Sequence, residues 1–200
     1  MGILLAAEIV ERISGMPLRD FERKEIFEPL GMKDTVLGLG KMRIGDTVQI
    51  QEANESDGKD SASFGSNSEY WRNMGHPWGG MHTTTLDLSI LLQTFLNGGS
   101  YSGRRILSPA AVKTMTSDQN TRLKAPWGLG WALARSKVWN EFGDLVSPAA
   151  FGHAGASGTV EWADPETGLI CIVLTSRPLS VDSGKFLRLV SNAIAASVEN

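Results

Sequence analysis

The stretch FGHAGASGTVEWADPETG, residues 151 to 168, sets His153 among small residues between two runs that read as strands. An imidazole there can donate a hydrogen bond to a substrate carboxylate or to a polar cleft, and Gly155 leaves room for close approach. From spacing alone the commoner account is an edge-strand histidine satisfied by neighbouring backbone. Ser157 follows closely, but Thr159 stands where a Gly-x-Ser-x-Gly nucleophile elbow requires glycine. Ser56-Asp57-Gly58-Lys59 has a serine and a lysine three positions apart. It falls in QEANESDGKDSASFGSNSE, residues 51 to 69, where polar and turn-forming residues predict a mobile loop. Such a loop would not hold a serine against its activator.

Other reactive side chains have plainer explanations. His76 and His82 flank PWGGM, and two histidines can begin a metal site, but no third ligand of convincing type is near. Their expected role is loop packing or cleft lining, with Trp78, Gly79 and Gly80 shaping a substrate-facing turn. Asp164 and Glu166 bracket Pro165 in a tight turn, where local hydrogen bonding accounts for both. Lys24 and Lys33 read as solubilising groups. Trp127, Trp131 and Trp162 fall in strand-like runs and are expected in the core, whereas Trp71, Trp78 and Trp139 are more open.

These residues must be positioned by an ordinary globular chain. With 200 residues and a formal net charge of -3, it has the size of one domain. The 19 Lys+Arg against 22 Asp+Glu, with no dense basic run, give no field suited to nucleic acid or an anionic membrane. Cys171, in LICIVLTS, reads as a buried strand residue and, as the single cysteine, forms no intrachain disulfide. The start MGILLAAEIVERISG has no basic n-region and acquires Glu8 and Glu11 early, so it resembles neither a secretion signal nor a membrane span. Cytoplasmic residence is the default; an upstream export segment would make the protein periplasmic or secreted.

Ile3, Ala6, Ala7, Val10 and Ile13 recur at helical spacing until Gly15 and Pro17. Nothing before that helix can cap it, which predicts missing upstream chain or a frayed end. A second helix, LRDFERKEIF, is expected to end at Pro29, and YWRNMGHPWGGMH reads as a structured surface loop. Thr84 or Thr85 opens the helix TTLDLSILLQTFLNGG, with Asp87 near its positive end and Gly98 as terminator. Ser108 and Pro109 open another. From residue 125 onward PWGLGWALAR, AAFGHAGAS, GTVEWAD and GLICIVLTSR read as strands, the last two joined by DPETG. Leu187, Val190, Ile194 and Val198 then form the stripe of a terminal helix. The pattern predicts an α+β fold, an antiparallel sheet covered by helices with at least one edge open.

Five successive stretches resemble the serine beta-lactamase and penicillin-binding-protein superfamily, in its class C-like branch of esterases and D-aminopeptidases. They are LLAAEIVERISGMPLRDFERKEIFEPLGMKDT, GHPWGGMHTTTLDLSILLQTFLNGG, GRRILSPAAVKTM, PWGLGWAL and FGHAGASGTVEWADPETGLICIVLT, in the family's order over nearly the whole chain. The resemblance implies a single, partial beta-lactamase-like domain over 1–200. His153, Ala154 and Gly155 match the His-x-Gly form of the family's strand motif. This implies a catalytic role for His153, Gly155 and Ala156, the Ala156 amide helping to polarise a bound carbonyl, with Ala154 and Ser157 lining the substrate wall.

The family's Ser-x-x-Lys and Tyr-x-Asn motifs are not matched. Tyr70-Trp71-Arg72-Asn73 has one residue too many and lies after the first helix rather than before it, and Tyr101 belongs to a turn. The resemblance therefore implies the C-terminal part of a serine hydrolase, inactive alone, whose nucleophile-bearing N-terminal portion is absent from these residues. A small-molecule ester, amide or peptide is the implied substrate, with a complementing N-terminal segment or second chain as partner and no metal or organic cofactor. The alternative is a noncatalytic module that keeps the groove and binds a peptide or protein.

Overall fold

The computed structural model describes residues 2–51, 61–123, 125–136, 138 and 140–198. Ser56, Lys59 and Trp139 lie outside the described residues. The chain forms two compact units, Met1–Asp87 and Leu88–Asn200. Among the described residues no helix is long and apolar enough to cross a membrane.

The first unit opens with α1 (Gly2–Ser14), which ends at Gly15 in the left-handed conformation. The Glu11 carboxylate accepts the Leu18 N–H at 2.7 Å, supplying the side-chain cap that Pro17 cannot give to α2 (Leu18–Glu22). That helix does not stop at Pro29 as its sequence suggests. It widens through a π turn, Arg23–Phe27, and continues as α3 (Glu28–Leu30) to a left-handed Gly31. The wide turn carries the Glu28 N–H to the Arg23 carbonyl, a five-residue step, and at such a turn a proline ring no longer meets the carbonyl below it. Phe27, Leu30, Met32, Leu37 and Leu39 are buried. α1 is less covered: Ala7 and Val10 of its apolar stripe are half-buried, Ile3, Ile9 and Ile13 are 53%, 55% and 81% exposed, and no residue of the helix is buried.

β1 (Val36–Leu37) pairs antiparallel with β2 (Met81–His82). Between them, α4 (Ser61–Phe64) and α5 (Glu69–Met74) replace part of the expected loop, because Ser68 caps α5 by accepting the Trp71 N–H at 3.2 Å. Buried Arg72 on α5 donates to Ser66 O, Thr47 Oγ1 and Asn67 Oδ1, joining two loops through neutral acceptors. α6 (Thr85–Leu96) starts where Thr84 Oγ1 accepts the Asp87 N–H at 3.2 Å. The buried Asp87 carboxylate accepts from Asp34 N and Thr35 Oγ1, both at 2.8 Å.

In the second unit the hairpin β3 (Ser100–Tyr101) and β4 (Arg104–Arg105) precedes α7 (Pro109–Met115), capped by Ser108 as its sequence indicates. β5 (Ala132–Leu133), β6 (Phe151–Gly155), β7 (Thr159–Asp164) and β8 (Leu169–Leu174) form an antiparallel sheet in chain order, followed by α8 (Lys185–Ala195). The expected strand over 126–135 shrinks to β5 and a bridge between Trp127 and Ala132. Gly130 at φ +84 folds the segment back, and the Gly128 N–H meets the Trp131 carbonyl at 2.8 Å.

Alternation along the strands divides the core. Ala154, Val160, Trp162 and Cys171 pack with Leu187 of α8 and with Phe142, while Phe151 and Ala163 face Leu92 and Phe95 of α6 and Val112 of α7. Helices therefore cover both faces. A side chain as completely enclosed as Leu92 contributes about 1.5–3 kcal/mol by leaving water. Val198, expected to extend the α8 stripe, lies beyond the helix end.

Candidate active site

The candidate site is built on β6 and the turn after it. β5 pairs only with Phe151 and Gly152, so the edge of β6 beyond Gly152 has no β5 partner. The Ala134 N–H donates to Ala150 O at 2.9 Å, which identifies even-numbered residues as those whose backbone groups face that edge. Ala154 and Ala156 continue the row into the open. The Gly155 carbonyl accepts the Gly158 N–H at 2.9 Å, so the trans peptide that follows turns the Ala156 N–H the opposite way. The Ala156 carbonyl accepts the Leu179 N–H at 3.0 Å. Both peptides flanking Ala156 are thus fixed, and its N–H donates to no described acceptor.

A backbone donor held in this way can stabilise charge developing on a carbonyl oxygen without reorganising. The turn owes its shape to Gly158, at φ +92, where a Cβ would stand 1.8 Å from the Arg177 carbonyl oxygen. Thr175 Oγ1 donates to Gly158 O at 2.6 Å. Gly155 also serves the hairpin itself, since a Cβ there would lie 2.3 Å from Thr159 Oγ1. Ala156 is exposed and Ser157 half-buried.

His153 is half-buried and meets the edge of Trp127 at a ring separation of 5.5 Å. Its Nδ1 lies 2.7 Å from the Ala154 carbonyl oxygen, which only accepts, so Nδ1 carries the proton. Burial lowers the imidazole pKa and outweighs the opposing hydrogen bond. Directly across the sheet from His153 is Glu161 of β7, whose carboxyl is pushed up to about 8 by burial. Glu161 and Trp127 are the site neighbours that motif reading misses. The signal for Glu161 is a charge in the middle of the apolar run of TVEWAD, away from the turn that accounts for Asp164; Trp127 has no such signal, because the turn that presents it breaks the expected strand. A surface cleft lined by Arg135, Asn140, Asp144, Ser147 and Arg188 opens elsewhere in this unit, and His153 is not among its lining residues.

The other expected site residues belong to the first unit. His76 is buried and stacked between Trp71 and Trp78 at ring separations of 4.9 and 4.7 Å, and burial lowers its pKa. Trp78 itself is 54% exposed. Gly80 permits a close approach of backbone, since a Cβ would lie 2.5 Å from the His76 nitrogen, and Gly79 lies beside the His76 ring. His82 pairs with Val36, and burial and the nearby Arg72 charge lower its pKa. Tyr70 and Asn73, read as loop residues, are on α5, with Tyr70 stacked edge-on against Phe64.

A curated relative from Escherichia coli O157:H7, described as "Putative D-alanyl-D-alanine carboxypeptidase", is 31% identical over 88% of this chain and 44% of its own length. The chain therefore spans less than half of that relative. A beta-lactamase from Mycobacterium bovis superposes with a TM-score of 0.68 at 25% identity, covering 98% of this chain and 61% of that structure. A penicillin-binding protein homologue from Caulobacter crescentus gives 0.67 at 26% identity, covering 96% and 56%. The sequence pattern of the Beta-lactamase family matches residues 1–194, so this chain belongs to the beta-lactamase family.

Proposed function

We propose that the chain supplies the carbonyl-binding side of a serine hydrolase acting by acyl transfer on an ester or amide bond, with the nucleophile contributed by a further segment of polypeptide. The observation that carries this reading is the fixed, outward-facing Ala156 N–H at the open end of β6. In the completed site a serine oxygen attacks the carbonyl carbon, its proton passing to a lysine and tyrosine pair. Negative charge collects on the carbonyl oxygen at the Ala156 N–H, and the leaving group departs with a proton. Water then cleaves the acyl-serine ester and restores the serine hydroxyl. The Ala154 side chain is turned into the core, so its backbone, with Gly155 and Ser157, forms the substrate wall, and neutral His153 keeps the polar side of that wall in place.

The test is turnover of a chromogenic beta-lactam and short-chain aryl esters by the chain alone and by the chain mixed with a family segment bearing Ser-x-x-Lys and Tyr-x-Asn. Burst kinetics that require the added segment support the proposal. Turnover by the chain alone, abolished by Ser157→Ala, overturns it. The exposed apolar side of α1 favours one second reading, a noncatalytic module that binds a peptide or protein. Binding without turnover in both preparations is its signature.

A further inference from the structure

β7 carries two acids that face opposite ways. Asp164 lies on the side of Trp162, where its carboxylate takes the Ser147 N–H and hydroxyl at 2.8 and 2.6 Å. Glu161 lies on the other side, directly opposite His153 of β6 and Ile172 of β8. Residues in direct register share a face, with Cβ atoms about 5 Å apart. Phe151 and Gly155 flank His153 on that face, and Ile170 and Leu174 flank Ile172, so neither strand brings a second ionisable group. Cys171 points to the opposite side, against α8. The helices over the Glu161 face add little charge: α6 from Leu88 onward has no titratable residue, and Lys113, the single one on α7, is exposed. Among the described residues of β6, β8, α6 and α7, His153 is thus the one titratable side chain on the Glu161 face.

Among the described residues nothing donates a hydrogen bond or an ion pair to the Glu161 carboxyl. Both side chains are half-buried on one face of the sheet, and their ordinary order of titration is inverted. Burial raises the carboxyl to about 8 and lowers the imidazole, so around neutrality the two hold one proton between them.

We propose that Glu161 and His153 titrate as one acid–base couple across β6 and β7, with Glu161 a positioning residue that sets the charge and tautomer of the imidazole beside the carbonyl-binding edge. The catalytic consequence rests on the hydrolase reading above; the coupling does not. Ionising Glu161 places a negative charge behind His153 and favours the doubly protonated ring. Protonating Glu161 returns the ring to the neutral form that donates through Nδ1 to Ala154.

NMR titration of the isolated chain tests the couple without any need for turnover. With three histidines in the sequence, the ring signals can be assigned by substitution. The His153 ring signals and the Glu161 side-chain carbon are each expected to show two inflections, separated by about one pH unit or more. His153 in Glu161→Gln, and Glu161 in His153→Gln, should each retain a single inflection, whereas the exposed control Glu166→Gln keeps both. If Glu161→Gln fails to fold, the Glu161 carbon in His153→Gln decides alone. One inflection per group in the native chain, or a pattern unaltered by removal of the partner, overturns the proposal and leaves the hydrolase reading standing.

Discussion

The Leu179 N–H donates to the Ala156 carbonyl at 3.0 Å, tying the turn after β6 to the segment that leads into α8. Leu179→Pro removes that donor while Leu179→Ala keeps it. With the nucleophile-bearing segment supplied, Leu179→Pro is expected to slow acylation on the order of a hundred-fold, the scale of a lost carbonyl-polarising donor. Leu179→Ala should lose stability but keep most of the rate. Single-turnover kinetics separate the two.

Asp164 anchors the DPETG turn, accepting from Ser147 N, Ser147 Oγ and Glu166 N. Asp164→Ala leaves these donors without their acceptor in a region where Asp164 is almost fully enclosed. The expected loss is about 3 kcal/mol by urea denaturation, with little change in the slope of the unfolding free energy.

The Trp162 N–H donates to Ser191 Oγ at 3.1 Å, and that hydroxyl donates to the Glu141 carbonyl at 3.1 Å. Ser191→Ala leaves a buried indole N–H unpaired, at about 1–3 kcal/mol. Trp162→Phe removes both ring volume and donor. The double variant should be less damaged than the sum of the two singles, by about 0.5 kcal/mol or more, because the same bond is lost in each.

Glu22 and Glu161 both resist ionisation, burial raising them from 4.5 to about 7 and about 8. An acid whose pKa is higher in the folded than in the unfolded state binds more protons when folded. Its stabilising contribution is complete below about pH 4.5 and is lost as the pH rises through about 7 to 8. Against Glu22→Gln, the native chain should therefore lose Tm as the pH rises across that window, and the difference should vanish in acid. Thermal melts at matched ionic strength check the sign.

Several elements were legible because each had a local physical cause. Ser108 and Pro109 announce α7 by themselves, and the alternation of Val160 and Trp162 with Glu161 gives β7 its two faces. The His153 to Gly155 motif gave the strand but not its open edge, which depends on how short β5 is. Pro29 misled because a proline ends an α-helix but not one that has already widened. Ile3, Val10 and Ile13 show which side of α1 is apolar, but periodicity says nothing about what covers it. Glu161 was passed over because register is a property of paired strands, and no single strand reveals what stands opposite.

The exposed side of α1 makes a separate prediction. Ile9→Glu and Ile13→Glu remove no buried contact, so each should change chain stability by about 0.5 kcal/mol or less. If a further segment seats on this helix, the same substitutions should weaken its association at least about ten-fold, read by titration calorimetry with the supplied segment.

The account is tested most directly by trapping the chain, together with the supplied serine-bearing segment, as a covalent phosphonate adduct and determining its structure. The account predicts an adduct oxygen within about 2.7–3.1 Å of the Ala156 nitrogen. An adduct whose oxygen lies away from β6, with no contact to the Ala156 N–H, would contradict it.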